Sequence, residues 1–341
     1  MRVAVVILNW NGKRFLEKFL PSLIRFSAPD AWIVVADNAS TDDSVSFLKS
    51  EYPEIRIIQN KDNGGFARGY NLALRQVNAE YFILLNSDIE VTGNWISPVI
   101  ALMDRNQQVG ACQPKIRSYH DPKRFEYAGA AGGYIDSFGY PFCRGRILLH
   151  IEEDYGQYDD QAEIFWASGA CMFVRSSLYH QLGGFDEDFF AHMEEIDFCW
   201  RLKNCGYKVM YCPSSTVFHI GGGTLPKISW RKTYLNFRNN LFLLYKNLPG
   251  EMLFPVFASR LALDGIAAMK FLFTAGFKDF WAVVKAYVSF YSSLSKLREK
   301  RKTLNHPSSD QIYSGNIVFC YYLLGKQRFN QLNPSRFLRK R

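Results

Sequence analysis

The sequence predicts an α/β fold, with a mixed, mainly parallel sheet carrying helices on both faces and a helical segment after it. Uninterrupted apolar runs at 3–8, 32–36 and 81–85, together with the run 55–58 that only Arg56 breaks, are typical of the strands of a buried sheet. Between the first two runs, apolar residues recur at the spacing of an amphipathic helix laid on a sheet (Phe15, Leu16, Phe19, Leu20, Leu23). Strands that alternate with helices favour a parallel sheet.

Length and composition narrow the class of protein. The 341 residues allow one large domain and an appended segment, and an aromatic fraction of 16% argues against disorder. A formal charge of +9 favours anionic partners. The seven cysteines form no CxxC pair, and the N-terminal apolar run is too short for a signal peptide. We therefore expect a protein of a reducing compartment, the cytoplasm.

Polar residues stand where the apolar runs end. Asn9 follows the first run, Asp37 follows the second, and Asn86 and Asp88 follow the fourth. The carboxyl ends of parallel strands are where α/β sheets bind ligands. A carboxylate there suits either a hard divalent cation or a hydrogen bond to a base or ribose. The alternative for each acid is an ordinary helix cap.

A further segment favours phosphate binding. Asn63, Gly64 and Gly65 precede a predicted helix, and Arg68 lies in its first turn. Backbone N–H groups at a helix start attract anions, and an arginine adds a full charge. A glycine pair alone is weak evidence, since most such pairs are turns.

The motifs at 5–12, 35–42, 63–69 and 84–88 together resemble glycosyltransferase family 2, in its rhamnosyltransferase-like branch of bacterial polysaccharide assembly. The resemblance covers residues 1–245 and implies an inverting enzyme of GT-A fold with Mg²⁺ or Mn²⁺. It implies a dTDP-, UDP- or GDP-linked sugar donor whose base contacts Asp37. It places Asp88 at the metal-binding end of a DxD motif, with Asn86 in place of the first acid.

The stretch 193–202 is predicted to be a short helix with an acidic start. Glu194, Glu195 and Asp197 crowd its N-terminus, where the helix dipole alone explains one acid. Crowded, buried carboxyls have raised pKa values, which suits a general base. The resemblance implies that Glu195 is the base, where Asp is usual. Glu194 and Asp197 are expected to support it, by binding the acceptor or orienting Arg201.

We predict functional roles for two further stretches of the sequence. His219 precedes three glycines, and the resemblance implies a metal ligand that assists Asp88, although a lone histidine is more often structural. Residues 118–160 show no regular pattern, and we expect a functional surface there, a sugar- or acceptor-side loop, without assigning any residue.

The predicted division is a catalytic domain at 1–245, with a donor half at 1–117 and an acceptor half at 165–225, and a basic helical segment at 246–341. Charged residues interrupt every apolar run there, so we expect no membrane-spanning helix. Amphipathic helices, with lysines on one side and aromatic residues on the other, favour attachment to an anionic membrane surface. The basic clusters 296–302 and 336–341 would add to that attraction. The alternative is a helical hairpin packed on protein.

These observations predict an inverting glycosyltransferase acting on a glycan or lipid-linked acceptor at the inner face of the cell membrane. Two rivals are a sugar nucleotidyltransferase and a non-catalytic nucleotide- or membrane-binding protein. The first would need a basic, glycine-rich initial loop, which 9–12 lacks. Nucleic acid is not an expected partner, because the basic residues lie mainly in the apolar C-terminal part.

Overall fold

The computed structural model describes residues 2–221, 229–304 and 311–337. Its first half alternates strands and helices as the sequence predicts. The elements are β1 (Val3–Asn9), α1 (Lys13–Ser27), β2 (Ala31–Asp37), α2 (Ser44–Glu51), β3 (Arg56–Gln59), α3 (Gly65–Leu74), β4 (Tyr81–Asn86), β5 (Ile89–Val91), α4 (Ser97–Arg105) and β6 (Val109–Ser118).

The middle of the chain adds short strands and returns to the main sheet. Its elements are β7 (Gly133–Asp136), β8 (Pro141–Cys143), β9 (Arg146–Ile147), β10 (His150–Ile151), β11 (Ala162–Ile164), β12 (Cys171–Arg175), α5 (Ser176–Gln181), α6 (Glu194–Asn204) and β13 (Lys208–His219). The remainder is mainly helical, with α7 (Trp230–Asn247), α8 (Gly250–Thr274), α9 (Phe277–Ser292), α10 (Leu294–Lys302), β14 (Ile312–Tyr313) and α11 (Ile317–Tyr322).

The main sheet runs in the order β11-β13-β6-β12-β4-β1-β2-β3, with β5 on β13. Strands β4, β1, β2 and β3 are mutually parallel, as are β6 and β13, while β12 is antiparallel between β4 and β6. Alternate residues of β1 enter two separate apolar cores, one on each face of the sheet. Both faces are therefore covered, and the predicted α/β fold is confirmed.

The expected loop at 118–160 is instead a second small sheet, in the order β10-β9-β8-β7-β14. Its aromatic side chains, Phe125 and Phe142 among them, are buried. Strand β14 comes from the C-terminal part of the chain, and Phe329 and Phe337 pack against Tyr134 of the insert. Our expectation of a surface loop was wrong because the apolar partners of the segment lie about 180 residues further along the chain.

Two charged residues of α8 lie on the opposite side of the helix from the one that we expected. In α8 the charged residues Arg260 and Asp264 are buried, whereas Ile266 and Phe273 are 68% and 80% exposed. Arg260 Nη2 lies 3.0 Å from Asp264 Oδ2, and Arg260 also donates to the Phe138 carbonyl and to Asn240. The charges thus face the protein, and the apolar residues face outwards.

This arrangement also corrects the expectation of no spanning helix. Among the described residues, α8 is the one helix long and apolar enough to cross a membrane by length and composition. Of the charges on which we based that expectation (Arg260, Asp264, Lys270, Lys278 and Lys285), Arg260 and Asp264 pair with each other inside the fold. Length and composition therefore permit a span, and the contacts of Arg260 tie the helix to the rest of the protein.

We predict that Arg260→Ala lowers the free energy of unfolding by about 3–5 kcal/mol, because it leaves Asp264 buried without its counter-ion. Urea denaturation measures this. The double variant Arg260→Met with Asp264→Leu removes both charges and should recover most of the loss. Equal destabilisation by the single and double variants would show that the ion pair itself does not matter.

Candidate functional site

The strand ends form one polar edge. Asn9 pairs with Asp37 in the parallel register of β1 and β2, and Asn86 pairs with Leu8 on the other side of β1. Neighbouring strands lie about 4.8 Å apart, so this register places the predicted donor residues side by side. The parallel strands thus bring Asp37, Asn9 and Asn86 together at one edge, as the sequence predicts.

Hydrogen bonds fix the predicted base-binding corner. Asn9 Nδ2 donates to Asp37 Oδ1 over 3.1 Å and to Ser40 Oγ over 3.2 Å. The Ser40 N–H donates to Asp37 Oδ2 over 3.0 Å. Asp37 is therefore held in one orientation. Asn9 Oδ1 is buried and has no hydrogen-bond partner among the described residues, so one acceptor here is left for a ligand.

An asparagine ladder continues from this corner towards α3. Asn60 Nδ2 donates to Asn38 Oδ1 over 3.0 Å, and Asn38 Nδ2 donates to Asn63 Oδ1 over 2.9 Å. Asn63 Oδ1 in turn accepts from the Gly65 N–H over 3.0 Å. Asn63 thus caps the start of α3, a role that the sequence did not indicate.

The start of α3 differs from the expected phosphate cradle. The Phe66 N–H donates to the Phe190 carbonyl over 2.7 Å, and the Gly64 N–H donates to the Asp62 carbonyl over 3.2 Å. Gly65 has φ of +81°, and a Cβ there would lie 2.4 Å from the Phe190 oxygen. The expectation that N–H groups at Gly64 and Gly65 receive phosphate is corrected, because protein acceptors occupy them. Arg68 remains partly exposed beside Asp62, with 3.1 Å between Nη1 and Oδ1.

Asp88 and His219 meet as the resemblance implies, in a cluster that includes an unexpected third residue. His219 Nε2 lies 3.1 Å from Asp88 Oδ1, and His219 Nδ1 lies 3.3 Å from Glu126 Oε2 without hydrogen-bond geometry. Burial would lower the pKa of His219, but the carboxylates of Glu126 and Asp88 raise it to about 10. Burial would likewise raise the pKa of Asp88, yet His219 holds it below its usual range.

Glu126 is a residue that sequence reasoning missed. It lies in the 118–160 segment, and no pattern there indicated a buried acid (7% exposed) beside His219. Carboxylates commonly orient metal-binding histidines through the second ring nitrogen. Among the described residues, no group of three or more His, Cys, Asp or Glu side chains is arranged to hold a metal ion. Asp88 and His219 Nε2 supply two donors that suit Mg²⁺ or Mn²⁺, which often take further ligands from substrate phosphates.

The acidic start of α6 is the second centre. The Oε2 atoms of Glu194 and Glu195 are buried and have no hydrogen-bond partner among the described residues. Burial raises the pKa of Glu195 to about 7, and burial with the Glu195 charge raises the pKa of Glu194 well above its usual range. A carboxyl with a pKa near neutrality and a free oxygen is suited to take up a proton.

Glu195 lies near the strand ends. A Cβ on Gly169 would be 3.8 Å from Glu195 Cβ, so the turn before β12 passes beside this residue. The same turn contacts the end of β4, where the Asn86 N–H donates to the Ala170 carbonyl over 3.0 Å. One turn therefore connects the predicted base with the predicted donor edge.

Asp197 is engaged within the protein. Its carboxylate accepts from Arg201 Nε over 2.8 Å, from Lys246 Nζ over 2.8 Å and from Asn247 Nδ2 over 2.9 Å. Burial would raise the pKa of Asp197, but Lys246 and Arg201 hold it below its usual range. Arg201 donates in addition to the carbonyls of Leu182 and Gly184. These contacts favour the expected orienting of Arg201, and acceptor binding by Asp197 and Arg201 stays a prediction.

The loop before α6 is strained. Phe190, His192 and Met193 have φ of +63°, +71° and +73°, a region that residues other than glycine rarely adopt. Asn239 of α7 holds the loop through bonds to the carbonyls of Phe189, Ala191 and His192. Backbone strain of this kind clusters at functional sites, where surrounding contacts maintain it.

Comparison with known proteins supplies the family. The sequence model of glycosyl transferase family 2 matches residues 4–183, more than half of the chain. The chain belongs to glycosyl transferase family 2. This is the family that the four sequence motifs resemble, and the identification agrees with the polar strand ends.

Several family members and structures are similar to this chain. An N-acetylglucosaminyl-diphospho-decaprenol L-rhamnosyltransferase of Mycobacterium tuberculosis is 28% identical over 233 residues, covering 63% of this chain and 75% of the relative. The low-salt glycan biosynthesis hexosyltransferase Agl10 of Haloferax volcanii is 24% identical over 242 residues, covering 70% of this chain and 73% of the relative. This family member is thus similar to glycosyltransferases of both bacteria and archaea.

Solved structures support the fold. GalNAc-T7 with UDP, GalNAc and Mn²⁺ gives a TM-score of 0.59 at 15% identity, over 95% of this chain and 57% of that chain. The mannosyltransferase PcManGT of Pyrobaculum calidifontis, with GDP-Man and Mn²⁺, gives a TM-score of 0.52 at 14% identity, over 86% of this chain and 75% of that chain. The chain has the GT-A fold of these glycosyltransferases.

We predict that Glu195→Gln stabilises the protein in a pH-dependent way. The raised pKa means that folded Glu195 binds a proton which the unfolded chain releases near pH 4.5, so wild type loses stability as pH rises from 4.5 to about 7. The variant lacks this titration. Thermal melts should show its advantage at pH 8 and little at pH 4.5. An advantage independent of pH would contradict a raised pKa at this carboxyl.

Proposed function

We propose that this family member is an inverting glycosyltransferase that moves a sugar from a nucleotide-diphosphate donor to a hydroxyl of a glycan or lipid-linked acceptor. The observation that carries the proposal is the buried Glu195 Oε2, which has no partner among the described residues and lies one turn away from the aligned strand ends at Asn86. Such a carboxylate can deprotonate an acceptor hydroxyl while the donor is held at the edge of the sheet.

The donor site of this proposal follows the strand edge. Asp37, oriented by Asn9, accepts hydrogen bonds from the base or ribose, and the free Asn9 Oδ1 is available to a further donor group. Arg68 supplies positive charge to the diphosphate from the exposed side of α3. Asn63 and Gly65 act indirectly here, by setting the start of α3. The nucleotide is dTDP, UDP or GDP, since the similar structures hold UDP or GDP-Man.

We propose that Asp88 and His219 hold Mg²⁺ or Mn²⁺. When bound, the ion neutralises charge on the departing diphosphate. Asn86 leaves the site with one carboxylate fewer than a DxD motif. His219 would supply a nitrogen donor in its place on losing the proton that Glu126 and Asp88 stabilise on its ring, because metal binding releases protons from its ligands. Glu126, in contact with His219 Nδ1, orients the ring so that Nε2 points towards Asp88.

The transfer step follows from the position of Glu195. Its carboxylate removes the proton from the acceptor hydroxyl as that oxygen attacks the anomeric carbon. The C–O bond to the diphosphate breaks on the opposite face, so the configuration inverts. Burial and the Glu195 charge raise the pKa of Glu194 well above its usual range, which favours the protonated, neutral form of this neighbour. A neutral Glu194 adds no repulsion to the Glu195 carboxylate.

The acceptor is proposed to be lipid-linked and used in cell-surface polysaccharide synthesis. The Mycobacterium tuberculosis relative is named for a diphospho-decaprenol substrate. The outward apolar face of α8 and α9 supports attachment to the cytoplasmic face of the cell membrane. Of the expected basic clusters, Lys296 and Lys300 instead pair with Asp188, and 338–341 lie outside the described residues. Lys278 and Lys285 remain exposed on α9 to meet anionic lipid.

We predict that a nucleoside diphosphate raises the melting temperature of wild type in the presence of Mn²⁺, and that Asp88→Ala loses this response. Ligand at about 100 times its Kd stabilises a fold by roughly 2.7 kcal/mol, which a thermal-shift screen of dTDP, UDP and GDP detects. The control is Asp43→Ala, which removes an exposed acid just before α2. This variant should respond like wild type.

The outcome separates the candidate functions. A shift that needs both Mn²⁺ and Asp88 supports the donor site, and the best ligand names the nucleotide. The same screen repeated with dTTP, UTP and GTP tests the nucleotidyltransferase, which a shift with these triphosphates and with none of the diphosphates would favour. No shift with any nucleotide would contradict the glycosyltransferase proposal and leave a membrane-binding protein.

A further inference from the structure

An apolar groove of about 830 Å³ lies between α8 and α9. Leu261, Gly265 and Met269 line it from α8, and Trp281 lies further along the outer face of α9. The other wall includes Val284, Val288 and Tyr291. The groove is open to the outside and lies on the outward apolar face described above.

Polar groups near the groove turn away from it. Tyr287 lines the groove with its ring, while its hydroxyl donates to Asp264 Oδ2 over 2.8 Å. Asp264 is itself buried against Arg260 and accepts from the Tyr140 hydroxyl over 3.1 Å. The groove therefore offers almost no hydrogen bonds. A glycan or an ordinary protein surface would lose its hydrogen bonds to water on entering, whereas a hydrocarbon chain would not.

Charges on the two helices point to an anionic occupant. After the first turn of α8, every exposed charged residue on α8 and α9 is a lysine, namely Lys270, Lys278 and Lys285. The acids Asp264 and Asp279 are buried. An apolar groove between two helices whose exposed charges, after the first turn of α8, are all cations complements a long hydrocarbon chain that ends in phosphate. A second copy of this chain would bring the same lysines against each other.

We propose that this groove binds the isoprenoid chain of a lipid-linked acceptor, next to its phosphate. The inference rests on the proposed function, because only a transferase with such an acceptor has use for the site. It extends that function by assigning the recognition of the lipid and the transfer of the sugar to two different sites. The groove selects the carrier lipid, and the strand edge with Glu195 selects and transfers the sugar.

Gly265 provides the test. A Cβ on Gly265 would meet no heavy atom within 4 Å, so Gly265→Leu fills the groove without a clash. The substitution also replaces a helical glycine by a better helix former, so the fold should be retained. Ala258→Leu adds the same side chain to an exposed position of α8 outside the groove, and it is the matched control.

The experiment uses the full chain with a polyprenyl phosphate that carries a diazirine on its isoprenoid chain, in phosphatidylcholine vesicles. We expect photolysis to label peptides of α8 and α9. Filling the groove should reduce labelling about tenfold in Gly265→Leu, with Ala258→Leu unchanged. Mn²⁺-dependent nucleotide binding should be the same in all three proteins.

Three results would overturn the inference. Equal labelling of wild type and Gly265→Leu would place the chain elsewhere. Equal labelling by a diazirine phospholipid would mean that the groove takes any bilayer chain. A dimer of wild type that Gly265→Leu dissociates would make a second copy the occupant. Since nucleotide binding is measured in parallel, its loss in wild type would instead count against the proposed function.

Discussion

The site depends on the burial of Asp197. Its carboxylate binds Arg201 of its own helix and Lys246 and Asn247 of α7, and this fixes the start of α6. These partners satisfy Asp197, whereas the Oε2 atoms of Glu194 and Glu195 are buried without a hydrogen-bond partner among the described residues. Three acids at one helix end thus divide into an ionised anchor and two carboxyls with raised pKa.

The strained loop before α6 links the two halves of the site. The Phe190 carbonyl caps α3 on the donor side, and four residues later the acidic helix α6 begins at Glu194. Arg238 and Asn239 of α7 hold the carbonyls of this loop in place. The C-terminal helices are therefore part of the support of the site, and they also carry the apolar face on which we place the acceptor lipid.

The sequence was sufficient to predict the features of the fold and of the site that depend on local sequence pattern. Apolar runs predicted the parallel strands, and strand register then brought Asp37, Asn9 and Asn86 together. The sequence-based predictions failed where contacts between segments far apart in the chain determine the structure. The 118–160 segment is buried because β14 and Phe329 pack against it, and Glu126 of this segment lies beside His219 of β13, a strand distant in sequence. The glycine pair suggested free N–H groups, but the Gly64 N–H donates to the Asp62 carbonyl and the Gly65 N–H donates to Asn63 Oδ1. Spacing placed Arg260 and Asp264 on one helix face and could not tell whether that face is turned inwards.

The central claim is that burial sets the Glu195 carboxyl to titrate near neutrality. The most direct measurement is a ¹³C-NMR titration of side-chain carboxyls, with Glu195 assigned by its absence from the Glu195→Gln spectrum. The account predicts a midpoint near pH 7 in wild type. A midpoint near 4.5, the value of an exposed glutamate, would contradict the account and leave the acidic start of α6 a structural feature only.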